Sequence, residues 1–165
     1  MRSLLMVSSL LGLALGCTER QAPTAAPSQK VETRAAHQQV ELSPDQGPLP
    51  EQLRQAVTQA RRAGLKPVAY LHASWCPPCK AIEESMGDAR MAEAFAGTYV
   101  IGLDVDAWGG QLTQERFDGS TIPAYFALNG EGRPTGHPLT GAAWDDNLPE
   151  NMAPPLKAFF STKLR

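Results

Sequence analysis

The chain has 165 residues, 42% of them hydrophobic, with 15 Lys and Arg against 17 Asp and Glu for a formal net charge of −2. That length suits one domain plus extensions, and the charge balance excludes the basic stripe that a nucleic-acid partner needs. The chain has only 3 cysteines, and His37, His72 and His137 are scattered, so a four-ligand structural zinc site is not expected.

Residues 1–16 read as a targeting segment. Arg2 supplies the positive charge and Leu4 to Leu15 the apolar run. The run is about twelve residues, too short for a bilayer span of about 20, and fits the apolar region of a secretory signal. It closes on Leu13-Ala14-Leu15-Gly16-Cys17, which resembles a bacterial lipobox, although Ala14 stands where that family usually has Leu. The resemblance implies lipidation at Cys17. The alternative is an ordinary signal peptide that leaves a free cysteine. Several acyl chains would anchor the protein stably, on the periplasmic face of a bacterial cell envelope. Thr18, in place of Asp, resembles an outer-membrane sorting signal. Residues 17–48 are then the lipidated cysteine and a tether. Thr18 to Pro48 is rich in Ala, Gln, Pro, Ser and Thr, has no aromatic residue and few aliphatics, and cannot bury enough surface to offset ordering. As random coil, its roughly 31 residues span about 30 Å.

From Leu49 the pattern changes, and 49–165 reads as one domain. Leu53, Ala56, Val57 and Ala60 recur at helical spacing, with Gly64 as a stop. Pro67 to Ser74 is a near-continuous apolar strand. Lys80 to Phe95 reads as a helix that buries Ile82, Met86 and Ala89, with a kink at Gly87, and Met91 to Ala96 either continues it or forms a separate turn. Tyr99 to Asp106 is the second strand, Gln111 to Phe117 a short helix, and Pro123 to Leu128 the third strand. The turn signal Asn129-Gly130-Glu131-Gly132 leads to an edge strand, Pro134 to Thr140. Pro154 to Leu164 is a closing helix that turns Leu156, Phe159 and Phe160 inward. This order makes an α/β domain, with a central mixed sheet flanked by helices.

Trp75-Cys76-Pro77-Pro78-Cys79-Lys80 carries the chemistry. Two thiols separated by two residues can close a disulfide and reopen it by exchange. A strand-to-helix junction places the first sulfur at a helix N-terminus, where free N–H groups and the helix dipole favour the reactive thiolate. Pro77 and Pro78 remove two of those N–H groups.

Element order, the Trp75–Lys80 motif, Ile122-Pro123 and Gly141-Ala142 together resemble the thioredoxin family over Leu49 to Arg165. The resemblance implies a thiol–disulfide oxidoreductase whose cofactor is its own Cys76–Cys79 disulfide, with no metal. Cys76 is expected to be exposed and to attack; Cys79 is expected to be shielded and to resolve the mixed disulfide. Lys80 adds positive charge. Pro123, cis as in the family, and Gly141 would border a groove in which a peptide pairs as an added strand. Trp75 walls that groove or packs in the core. The partners implied are protein thiols and disulfides, with a membrane electron donor. Trp-Cys-Pro-Pro-Cys is similar to tethered reductases of the TlpA and cytochrome c maturation type, which points to a reductant.

The family's buried aspartate, six residues before the first cysteine, is here Tyr70. Glu83, four after Cys79, resembles an acid in the C-terminal domain of the membrane thiol reductase DsbD. It either replaces the missing proton acceptor or is a solvent-facing carboxylate. His72 tunes the thiols, binds copper with them or is a partly buried strand histidine. Trp108 and Trp144 are expected to cap the core, the alternative being a partner surface, and Asp104 and Asp106 are assigned no role. A copper-binding chaperone using Cys76, Cys79 and His72, and a non-catalytic module with a stapling disulfide, are the rival functions.

Overall fold

The computed structural model describes residues 37–162. The signal segment, Cys17 and most of the tether therefore lie outside the described residues. Among those described, no helix is long and apolar enough to cross a membrane.

The tether ends earlier than its composition suggests. Gln38–Glu41 form strand β1, paired in parallel with the later strand Thr98–Asp104 through Val40 opposite Ile101. One aliphatic residue among four gives no hydrophobic signal, and backbone pairing to a strong neighbour orders the segment. Three anchors hold the chain between β1 and the first long helix. Leu42 is buried, the buried Trp108 indole donates to its carbonyl at 3.3 Å, and the Gln52 amide donates to the carbonyls of Ser43 and Gly47 at 2.8 and 2.7 Å.

Helix α1 (Leu49–Arg62) buries Leu53, Ala56, Val57 and Ala60 as expected, and Gly64 turns the chain at φ 69°. Strand β2 (Lys66–His72) is central, parallel to β3 (Thr98–Asp104) and antiparallel to β4 (Ala124–Leu128). It stops two residues before the expected end, because Ala73–Trp75 turn the chain and the Cys76 amide bonds back to the Ala73 carbonyl. Of the two alternatives for the segment from Met91, the separate element is the one present. Helix α2 (Pro77–Glu84) begins at the prolines, and α3 (Ala89–Ala94) is started afresh by Asp88, whose carboxylate accepts from the Arg90 amide at 2.8 Å. Ala89, expected inside, is exposed, and Met91 is buried in its place.

Strand β3 also stops early. Asp104 accepts from the amides of Asp106 and Ala107 at 2.8 and 3.1 Å, which caps the short α4 (Val105–Trp108) ahead of α5 (Gly110–Gln114). After β4, the Asn129 side chain accepts from the amides of Glu131 and Arg133 and closes the turn into edge strand β5 (Pro134–Thr140). Helix α6 (Pro149–Thr162) starts five residues before the expected Pro154, so Pro154 and Pro155 lie inside it rather than in its first turn.

The sheet order is β1-β3-β2-β4-β5, with β1, β3 and β2 parallel and β4 and β5 antiparallel. Each side of the sheet has its own core. Leu49, Leu53, Leu71, Ile101, Leu103, Trp108 and Phe126 pack on the α1 side. Val68, Tyr70, Tyr125, Met91, Leu156 and Phe160 pack on the α2–α6 side, together with both cysteines.

Candidate active site

Cys76 is the N-cap of α2, and Pro77 and Pro78 fill the first two helical positions. Neither proline has an N–H to offer. The first amide of the helix able to reach the cap is that of Cys79, which donates to Cys76 Sγ at 3.3 Å. The next, Lys80, donates to the Cys76 carbonyl. One helix amide therefore faces the sulfur. Cys76 and Cys79 are joined as a disulfide with their Cα atoms 5.3 Å apart.

The expected contrast of an exposed and a shielded sulfur is corrected. Cys79 is 1% exposed, but Cys76 is only 2% exposed. As a cap its sulfur turns inward to the Cys79 amide, into the cluster that holds Ala73, Ile82 and Trp144, with Ile122 packed against it. Trp75 takes the outer position instead, 61% exposed, its indole N–H donating to Asp106 Oδ2 at 2.6 Å. That exposure removes the core-packing alternative for Trp75. Trp108 and Trp144 are buried, as expected of core caps.

The Ile122–Pro123 peptide is cis. Gly141 lies against it: its amide donates to the Pro123 carbonyl at 3.1 Å, and a Cβ there would meet Pro123 Cδ at 3.1 Å. The cis-proline loop and the small-residue loop thus join, as their sequence positions suggest.

An open pocket of about 270 Å3 is lined by His72, Ala73, Ser74, Lys80, Glu83 and Asp104, residues that flank the cysteine pair in the chain or end strand β3. Lys80 and Glu83 are solvent-exposed helix residues that nonetheless form one of its walls. Glu83 is therefore both a surface carboxylate and a neighbour of the buried polar groups. His72 is half-buried, and its Nε2 lies 3.1 Å from both carboxylate oxygens of Glu41 on β1. Burial of the ring opposes its protonation, but the Glu41 hydrogen bond and charge, backed by Asp104 and Glu83, outweigh it and raise its pKa. Gly102 makes the contact possible. It sits on β3 between Glu41 and Tyr70, and a Cβ there would collide with the Glu41 carboxylate.

Tyr70 stacks on His72 at 4.9 Å and on Tyr125 at 4.6 Å. Burial, then the charges of Glu83 and Glu41, push the Tyr70 phenol well above its ordinary pKa. The Tyr125 hydroxyl is near enough to ease that rise but is not placed for a hydrogen bond, so the buried Tyr70 hydroxyl has no partner. Burial, then the Tyr70 and Glu83 charges, also raise Tyr125 strongly.

Sequence reasoning passed over four contributors. Asp104 could have been read as a helix cap at a strand end, and Asp106 as its companion. Glu41 and Gly102 left no local signal, because their role exists only once β1 pairs with β3. Among the described residues, no group of three or more His, Cys, Asp or Glu side chains could hold a metal ion. The imidazole of His72 is engaged by Glu41, not by the sulfurs.

No protein-family model matches the chain, and no curated protein matches it. Among solved structures it is similar to the N21Q mutant thioredoxin from Halobacterium salinarum NRC-1, at 16% identity and a TM-score of 0.50, over 80% of this chain and 94% of that one. It is also similar to thioredoxin O1 from Arabidopsis thaliana (20% identity, TM-score 0.46, 79% of this chain and 99% of that one). A disulphide isomerase from Xylella fastidiosa Temecula1 follows at 22% identity and TM-score 0.48, over 67% of this chain and 87% of that one. The sheet order and the first of these likenesses define a thioredoxin fold. At its strand-to-helix junction this chain carries a C-x-x-C disulfide.

Proposed function

We propose that this chain is a thiol–disulfide oxidoreductase that reduces protein disulfides through Cys76 and Cys79. The observation that carries this reading is the disulfide itself, closed across the first turn of α2 with Cys76 as the cap. In the dithiol form, Cys76 as thiolate attacks a substrate disulfide, and Cys79 then attacks Cys76 and releases the substrate as a dithiol. Two electrons pass from the cysteine pair to the substrate, so the disulfide is the only cofactor the step requires. Trp75, Ile122, Pro123 and Gly141 border the surface on which the substrate chain lies. Pro77, Pro78, Lys80 and Glu83 tune the sulfurs, the prolines by withholding amides and the two charged groups through their fields.

The compartment and direction are part of the same proposal. Leu4 to Leu15 followed by Cys17 supports a lipid anchor on the periplasmic face of a bacterial envelope, with residues from Thr18 as the tether. A tethered reductant there draws its electrons from a membrane donor. The purified full-length chain, reduced and mixed with insulin, is expected to precipitate the insulin B chain catalytically. Equilibration with glutathione is expected to give a potential near thioredoxin's, about −270 mV, and not near −120 mV, which marks a strong oxidant. Absence of insulin reduction would refute the function, and a potential near the second value would reverse the direction.

A further inference from the structure

Resting on the oxidoreductase reading, we propose that His72, held by Glu41, is the proton acceptor that frees Cys79 for the resolving step, acting through water in the pocket it lines with Ser74 and Lys80. The geometry is that of a carboxylate–imidazole dyad. A carboxylate can only accept, so Nε2 carries the proton that Glu41 binds at 3.1 Å. The other nitrogen, Nδ1, is then a lone-pair base, and it has no hydrogen-bond partner among the described residues. The imidazole lines the cavity of about 270 Å3 with Ser74 and Lys80, on either side of the cysteine pair in the chain. That volume holds several waters, and the imidazole, the Lys80 ammonium and the Glu83 and Asp104 carboxylates on its walls offer them partners. The Tyr70 ring stacks on the imidazole, and Tyr70, whose hydroxyl is buried, belongs to the same core cluster as Cys79.

The arrangement follows from the sheet. On this face the rows become polar toward the strand ends: Val68 beside Val100, then Tyr70 beside Gly102, then His72 beside Asp104. Glu41 enters over Gly102 because no side chain blocks it. The charged and titratable groups around the imidazole are Glu41 on β1, Asp104 on β3, Lys80 and Glu83 on α2, and Tyr70 on β2. Three carboxylates against one ammonium give a base stronger than free histidine.

The step balances. In the mixed disulfide, Cys79 S–H gives its proton to His72 Nδ1 by way of cavity water. The Cys79 sulfur bonds to Cys76 Sγ, the bond from Cys76 to substrate breaks, and the departing substrate thiolate takes the proton back from the imidazolium. No further oxidant or reductant enters.

The test is the rate at which a labelled peptide is released from its mixed disulfide with Cys76, measured from pH 5 to 10 in the full-length chain. For His72→Gln, release at pH 7 is expected to slow by on the order of 10-fold. The gap should narrow toward the alkaline end of the range, where hydroxide replaces the imidazole as the base. For Glu41→Gln, whose target is an exposed side chain, the acid limb is expected to move down by about one pH unit. Profiles that superimpose on the parent, or a slowing that is the same at every pH, would overturn the dyad. If His72→Gln does not fold, the Glu41→Gln profile decides alone. If the parent chain forms no mixed disulfide at all, the oxidoreductase reading fails instead, which is a separate result.

Discussion

The two faces of the sheet are built from the same strands and differ completely. On the α1 side the rows are Ala69, Ile101 and Phe126, then Leu71, Leu103 and Ala124, apolar from end to end. On the α2–α6 side the same strands begin with Val68 and Val100 and finish with Tyr70, Tyr125, His72 and Asp104, next to two sulfurs. Alternation along a strand makes this division possible: one residue in two is free to serve chemistry while its neighbour serves packing. The first face stabilises the domain. The second contains groups whose burial costs stability, among them a phenol with no partner.

The largest expected effect separates the two. Ile101→Ala, on the apolar face and 0% exposed, should cost about 2–5 kcal/mol of stability and leave the rate of disulfide exchange per folded molecule unchanged. Denaturant titration beside an insulin assay checks both halves. A lost rate would show that the faces are not independent. Gly102→Ala, on the polar face, forces the Glu41 carboxylate away from His72. It should cost about 1 kcal/mol and lower the His72 titration midpoint seen by NMR. An unmoved midpoint would detach Glu41 from His72.

The raised pKa of His72 has a sign that can be followed. A histidine that binds its proton more tightly when folded adds stability below its unfolded pKa of about 6.5, and that stability disappears as pH rises through the folded value. The stability gap between the parent and His72→Gln should therefore be full below about pH 6.5 and shrink at higher pH. A gap that grows with pH would contradict the assigned direction. The smallest expected effect is at Pro78. Pro78→Ala returns an amide at the second helical position, where cap side chains find a donor. It should lower the Cys76 thiolate pKa by less than about one unit and shift the potential toward oxidant. Alkylation rates against pH measure it.

The fold was legible because its signals are local. Helical spacing at Leu53–Ala60, the apolar run before Trp75, the Asn129 turn and the Phe159–Phe160 pair each occupy a few residues. The cysteine pair and the cis-proline loop were legible for the same reason. What escaped depends on pairing between distant segments. Strand β1 has too little apolar content to announce itself, and with it went Glu41, the meaning of Gly102 and the environment of His72. The burial of Cys76 escaped as well, because the cluster it joins draws on residues as distant as Tyr125, Trp144 and Phe160. Asp88 and Asp104 were readable caps inside longer periodic runs, where apolar spacing outvoted them.

The most direct measurement traps the first step. The Cys79→Ser chain is mixed, reduced, with a peptide that contains one disulfide, and the products are resolved by mass spectrometry. One peptide should be found joined to Cys76, with the peptide's other half still tethered to it as a free thiol. No adduct, or one that persists after Cys76→Ser, would contradict the assignment of Cys76 as the attacking sulfur.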